Sequence, residues 1–227
     1  MINVQNKYQQ ELFNFYWENK INGDIMKVQQ LSFFAELVVE KNKQINLISR
    51  KDINNIIENH IFISSFIEKY IPEKCKYFID IGTGGGFPGI PLAITRPELR
   101  GVLVDSTSKK IDAVKEFVNK LKLSNVHVEN DRVESQEFIA KYSNKFDLVV
   151  SRASVPLIIL FRYFLPLIKE KAFLVCIKGG NLEAEIQKAE MKYKAYIKKS
   201  TIFDLSYKPS NVRNQNGKKL VLLELHK

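Results

Sequence analysis

The chain has 227 residues, 45% of them hydrophobic, which sets one main domain with a single sizeable core as the expectation. Its formal net charge is +10 and unevenly placed: from Lys188 to Lys227 ten Lys or Arg residues stand against Glu190, Asp204 and Glu224, a field that favours encounter with a polyanion, although a solvated lysine-rich surface has the same composition. Cys75 and Cys176 lie far apart without a CxxC or Cys/His spacing, so neither a disulfide framework nor a metal site is indicated. No apolar run reaches bilayer length and the N-terminal residues lack a basic stretch followed by an apolar one, so a soluble cytoplasmic protein without a membrane partner is expected.

In chain order, Lys7 to Glu18 reads as a first helix. From Asp24 to Lys43 the apolar residues Ile25, Val28, Leu31, Phe34, Ala35 and Val38 recur three and four apart, the period of an amphipathic helix. Asp52 is placed to cap a third helix running through Ile56, Ile57 and His60 toward Tyr70, with Pro72 as its breaker. Residues 1–72 are thus expected to form an N-terminal helical cap, and residues 73–227 a Rossmann-like domain. At Tyr77 the texture changes to short apolar runs alternating with helical patterns, the order of a parallel sheet covered by helices. YFIDI (77–81), VLVD (102–105), VHVE (126–129), DLVVS (147–151) and FLVCIK (173–178) read as five strands. Between strands two and three, Ile111, Val114, Phe117, Val118 and Leu121 share one helical face, with Ser108 as the expected cap. Further helices are expected near Gly89, Ser135, Pro156 and Leu182. Two last strands, Ala195 to Leu205 and Lys219 to His226, are joined by a turn region rich in Pro, Asn and Gly.

The run Asp80-Ile81-Gly82-Thr83-Gly84-Gly85-Gly86-Phe87-Pro88-Gly89 follows the first strand and opens a helix. Glycines there let the chain turn sharply and leave its backbone bare against a ligand. Asp105 closes the next strand, where a carboxylate can hold ribose hydroxyls. Two cofactor classes use such a turn. The dinucleotide pattern GxGxxG would need a third glycine at the position of Phe87. An S-adenosylmethionine site instead places an acid two residues before the first glycine, to meet the positively charged amino acid end of the cofactor directly or through water, and Asp80 stands there before Gly82.

The stretches INLISRKD (45–52), IDIGTGGGFPGIPLAITRPE (79–98), VDSTSKKIDAVKE (104–116), RVES (132–135), SRAS (151–154) and CIKGG (176–180) resemble the RsmG, or GidB, family of small-subunit rRNA methyltransferases. The likeness runs through almost the whole chain in the right order. It implies a class I methyltransferase fold, α/β with a Rossmann-like seven-stranded sheet whose last strand is antiparallel. It also implies methylation of ring nitrogen 7 of a guanosine, 527 in the usual rRNA numbering, in 16S rRNA or the 30S particle. Cofactor contacts carried over by the resemblance fall on Gly82, Phe87, Val133, Glu134 and Arg152, beside Asp80, Gly84 and Asp105. On the substrate side they fall on Asn46 and His60. Lys178, which ends strand five, is a further candidate for contact with RNA phosphate or the base. Where the family often has Arg-His-Ile-Leu-Asp-Ser, this chain has Asn59-His60-Ile61-Phe62-Ile63-Ser64.

After strand four the chain has Ser151-Arg152-Ala153, without the Asn/Asp-Pro-Pro-aromatic signature of exocyclic amine methylation or a nucleophilic cysteine. Guanine nitrogen 7 carries a free lone pair and loses no proton on methylation, so positioning and electrostatics suffice for the rate, with Arg152 and Lys178 the candidate groups. Two other functions fit the same residues: methylation of a small molecule or protein, and a non-catalytic RNA-binding module for ribosome assembly.

Overall fold

The computed structural model describes residues 7–152, 155–208 and 217–227. Ala153 and Ser154 of the SRAS stretch, and most of the turn between the last two strands, including Arg213, lie outside the described residues. The elements follow in the order α1 (Lys7–Glu18), α2 (Ile25–Lys41), an irregular helical segment, β1 (Tyr77–Ile81), α4 (Gly89–Thr95), β2 (Arg100–Asp105), α5 (Ser108–Lys120), β3 (Val126–Asn130), α6 (Gln136–Tyr142), β4 (Phe146–Arg152), α7 (Leu157–Phe164), β5 (Ile168–Gly179), α8 (Glu183–Tyr193), β6 (Ile197–Asp204) and β7 (Lys218–His226). The irregular segment is a 3-10 turn at Arg50–Asn55, a π-helical turn at Ile57–Phe62, α3 (Ile63–Phe66) and a second 3-10 turn at Ile67–Tyr70.

One seven-stranded sheet has the order β3-β2-β1-β4-β5-β7-β6. Strands β1 to β5 pair in parallel, and β7 runs antiparallel to both β5 and β6. Successive strand residues face opposite sides, so the two cores interleave along each strand. Phe78, Leu103, Leu148, Val150 and Val175 pack with α1, α2, α4 and α5 on one face. Ile79, Val102, Val104, Val149 and Leu174 pack with α6, α7 and α8 on the other. Burial on both faces is why these strands read as unbroken apolar runs rather than alternating ones.

The helical lead-in shares the first of these cores. Leu12, Phe34 and Ile57 are fully buried in the same cluster as Phe78 and Leu148. An aromatic group closes it toward the C-terminal strands: Phe62 stacks on Phe15 at 4.9 Å and meets Phe66 at 5.4 Å and Tyr207 at 5.3 Å between ring centres. Asn19 and Lys208 clasp each other through reciprocal amide-to-backbone hydrogen bonds.

Two expected caps are corrected. The third helical segment starts earlier than Asp52, with Ser49 Oγ accepting the Lys51 N–H at 3.3 Å, so Asp52 lies inside the first tight turn. Its carboxylate instead accepts from Asn59 Nδ2 at 3.0 Å. Ser108 is the first residue of α5 rather than its cap, because Asp105 Oδ1 takes the Thr107 N–H at 2.9 Å and sets the helix start one residue earlier.

The basic C-terminal stretch does not form one surface. Lys218 pairs in register with Gly179 at the carboxyl end of the parallel strands, whereas β6 begins at the opposite end, where Ile197 pairs with Leu225. Lys198 and Lys199 therefore sit at the amino end of the sheet, and Lys218 and Lys219 at its carboxyl end.

Gly101 leaves room in β2 for the fully buried Phe78, since a Cβ there would lie 2.2 Å from the Phe78 ring. Gly101→Ala should overpack this core and lower the unfolding free energy by about 1 to 3 kcal/mol. Urea denaturation monitored by far-UV circular dichroism reads the loss.

Candidate active site

The carboxyl ends of β1, β2 and β4 meet at one mouth. Past β1 the chain turns through Gly82, Gly84 and Gly86 with φ of 72°, 57° and 93°, a region that side chains strain to enter. The Gly82 and Thr83 N–H groups both donate to the Val104 carbonyl at 3.0 Å, fastening the turn to β2. A Cβ on Gly86 would meet Ile90 at 2.6 Å, and one on Gly89 would meet Asp80 Oδ2 at 2.7 Å.

Asp80, at the end of β1, has no solvent exposure. Its Oδ2 accepts from Thr83 Oγ1 at 2.7 Å and from the Gly89 N–H at 2.8 Å. Its Oδ1 is buried without a partner. Burial pushes the carboxyl up to about 7, against the two hydrogen bonds and the charge of Arg152, which favour ionisation.

Asp105 at the end of β2 accepts the Gly84 N–H on Oδ2 at 3.0 Å and the Thr107 N–H on Oδ1 at 2.9 Å, joining the glycine turn to the start of α5. Beside it opens a cleft of about 230 Å³ whose lining includes Gly82, Asp105, Val133 and Glu134. Val133 is buried among the strands' apolar side chains, while Glu134 is exposed. Asp131 and Tyr163 line the same cleft and were not singled out from sequence. Asp131 follows β3 at the carboxyl end, where ligands of open parallel sheets bind, and that rule could have flagged it. Tyr163 lies on α7 in an apolar stretch that carries no such signal.

The other side of the mouth is built by the lead-in. The ring of Phe87, which is buried and directly follows the glycines, ahead of a cis bond to Pro88, lies 5.0 Å from Phe34 and 5.2 Å from His60 between centres, and Arg152 Cζ lies 5.1 Å from its centre. Arg152 donates to the Asn59 carbonyl at 3.1 Å and to His60 Nδ1. Burial draws the guanidinium down to about 10, opposed by Asp80 and Asp52. The His60 imidazole is pushed down to about 2 by burial first, then by Arg152 and Lys218. Asn46 is exposed on a separate shallow recess of about 400 Å³ formed by residues 46–50, whose Leu47 fills the space a Cβ on Gly85 would need. Lys178 is buried, its ammonium bonded to Glu185 Oε1 at 2.6 Å and the Val155 carbonyl at 2.8 Å. Glu185 also takes the Leu157 N–H at 2.7 Å, so Lys178 secures the start of α7 rather than presenting its charge at the mouth.

The sequence model of the GidB family, described as rRNA small subunit methyltransferase G, matches residues 27–212. The chain belongs to the GidB family. A ribosomal RNA small subunit methyltransferase G of Chlorobium luteolum is 42% identical over 167 residues, 73% of this chain and 68% of the relative. One from Phocaeicola vulgatus is 39% identical over 196 residues, 81% of this chain and 90% of the relative. Among solved structures, M. jannaschii TYW2 in complex with AdoMet aligns with a TM-score of 0.57 at 13% identity, covering 82% of this chain and 80% of that one. A SAM dependent methyltransferase from Aquifex aeolicus aligns with a TM-score of 0.53 at 18% identity, covering 82% and 97%. At those identities the likeness is one of fold, and it agrees with the seven-stranded sheet.

The match covers most of the second lead-in helix, the glycine turn and Arg152. Among the described residues no cluster of His, Cys, Asp and Glu is arranged to hold a metal ion, and no helix is long and apolar enough to cross a membrane.

A carboxyl whose folded pKa lies above its ordinary 3.8 favours the folded state below that value and loses the advantage as pH rises through about 7. His60 acts in the opposite sense below 6.5, because only the unfolded chain then protonates it. Comparing Asp80→Asn with the wild type cancels His60 and isolates the carboxyl. The urea midpoint of the variant should gain on that of the wild type as pH rises from about 4 to about 7, in the absence of cofactor, and level off above. A constant difference across that range would mean that Asp80 titrates as an ordinary carboxylate.

Proposed function

We propose that the chain methylates ring nitrogen 7 of a guanosine in 16S rRNA, 527 in the usual numbering, using S-adenosylmethionine. The observation that carries this reading is the unpartnered Oδ1 of Asp80 beneath a turn of bare glycine backbone, in a chain of the GidB family. A buried carboxylate oxygen without a hydrogen bond is costly, and a cation or water-borne donor relieves it. The α-ammonium of S-adenosylmethionine has that chemistry. Asp105 then takes the ribose hydroxyls on lone pairs its two N–H bonds leave over, with Val133 and Glu134 flanking the adenine and Gly82 and Gly84 allowing close approach. When bound, the cofactor supplies an electrophilic methyl group on its sulfonium.

The chain's own residues hold rather than activate. Guanine nitrogen 7 is already nucleophilic, so no base has to take a proton, and holding the reacting groups in line carries the rate. Arg152, at the end of β4, is assigned to the cofactor side, and Asn46 and His60 to the wall nearer the RNA. Lys218 is the basic residue of the C-terminal stretch suited to phosphate, since it is the one at the carboxyl end that faces Arg152, Glu58 and Asp52. On this reading the protein acts in the cytoplasm, with 16S rRNA or the 30S particle as its partner. The helical cap, residues 1–72, serves as the RNA-side wall of a methyltransferase domain at 73–227.

Incubation with labelled cofactor and, separately, 16S rRNA, 30S particles and a panel of small metabolites should label only the RNA-containing samples. Mapping should place the methyl on one guanosine, and label in a metabolite or none at all would sink the reading. Asp105→Asn, which keeps one acceptor oxygen, should bind the cofactor about ten-fold more weakly by calorimetry. Lys218→Gln should weaken 16S rRNA binding and lower its salt slope by about one, whereas Lys198→Gln at the far end of the sheet should leave both unchanged.

A further inference from the structure

A guanidinium offers five N–H donors and no acceptor, so at a partly buried position it must be met by lone pairs from its surroundings. At Arg152 two of these come from consecutive residues of the lead-in, the Asn59 carbonyl and His60 Nδ1. Both lie in the π-helical turn Ile57–Phe62, a local widening of the kind that recurs at functional sites. Since the guanidinium can only donate, Nδ1 carries the lone pair and the ring proton sits on Nε2. That edge is buried and makes no hydrogen bond, with Asp52 Oδ2 3.7 Å away, while Asn59 Nδ2 holds the other carboxylate oxygen at 3.0 Å. Phe87 packs against the imidazole and the guanidinium together.

We infer that His60 is a positioning residue: a neutral imidazole whose Nδ1 fixes the Arg152 guanidinium at the mouth of the sheet, packed against Phe87. An imidazolium in its place would face Arg152 and Lys218, both cationic, with its own burial to overcome, so the charged form is disfavoured there. The inference rests on the reading of Arg152 as a cofactor contact. It extends that reading by making the lead-in part of the cofactor site through a single ring nitrogen.

The test uses the full chain with S-adenosylmethionine and S-adenosylhomocysteine as calorimetric probes, together with ¹⁵N-histidine NMR. His60→Leu should weaken binding about ten-fold, the scale of a hydrogen bond to a charged group, with the melting temperature as a control for folding. His60→Asn, whose amide oxygen can take the place of Nδ1, should restore most of the affinity. In an Arg152→Met background His60→Leu should cost nothing further. NMR should show His60 as the Nε2–H tautomer without titration between pH 5 and 8, and Arg152→Met should move its Nδ1 resonance. Additive losses, equal losses in the Leu and Asn variants, wild-type affinity in His60→Leu, or a His60 that titrates near 6.5 would each overturn the inference. Wild-type affinity in Arg152→Met alone would instead remove the assignment of Arg152 to the cofactor, and the NMR coupling would still decide whether His60 holds the guanidinium.

Discussion

Oδ2 of Asp80 ties together the part of the molecule where ligand chemistry is possible. One buried oxygen receives the hydroxyl of Thr83 and the N–H of Gly89, so the whole glycine turn is wound around the end of β1. The turn can take this path because Gly82, Gly84 and Gly86 accept positive φ and because Gly89 has no Cβ to strike the same oxygen. With Oδ2 committed to shape, Oδ1 stays buried without a hydrogen-bond partner. Asp105 shows the same division of labour, its two oxygens each holding one backbone N–H while keeping lone pairs for further donors.

The lead-in is built into this arrangement rather than laid over it. Its side chains fill the same apolar cluster as one face of the sheet, and Leu47 occupies the space beside Gly85. Phe87 is the meeting point, with Phe34 and His60 from the lead-in and Arg152 from β4 around one ring. A change in how α2 or the π-helical turn packs is therefore felt at the ends of β1 and β4, through contacts between rigid elements rather than through a flexible hinge.

Much of this was legible in the sequence where local chemistry and global position agree. The strands announced themselves because both faces are buried, and the glycine turn because three of its glycines take positive φ, which side chains strain to enter. Asp80, Gly82, Gly84 and Asp105 come together as their spacing implied. The misread residues are those whose partners lie outside their own turn or strand. Asp52 has the composition of a cap and instead serves Asn59, seven residues on, and faces His60. Lys178 has the sequence context of an exposed strand end, yet Glu185 and the Val155 carbonyl bury its charge. The π-helical turn has no periodic signature distinct from an α-helix over six residues. The basic stretch looked continuous because sequence order hides that β6 and β7 run in opposite directions, which sends Lys198 and Lys218 to opposite ends of the sheet.

That reversal also governs how the fold can assemble. Among the described residues strand β6 pairs with the sheet only through β7, which is inserted between β5 and β6 although it follows both in the chain. Until residues 218–226 are available, β5 is an open edge and β6 has nothing to pair with. Strand exchange with another molecule is then open to β5, whose Leu174, Val175, Cys176 and Ile177 would lie along an unpaired and strongly apolar edge. During synthesis or refolding the interval before β7 docks is thus the period in which this protein is most exposed to aggregation, and closing it depends on non-local pairings that are slow to form.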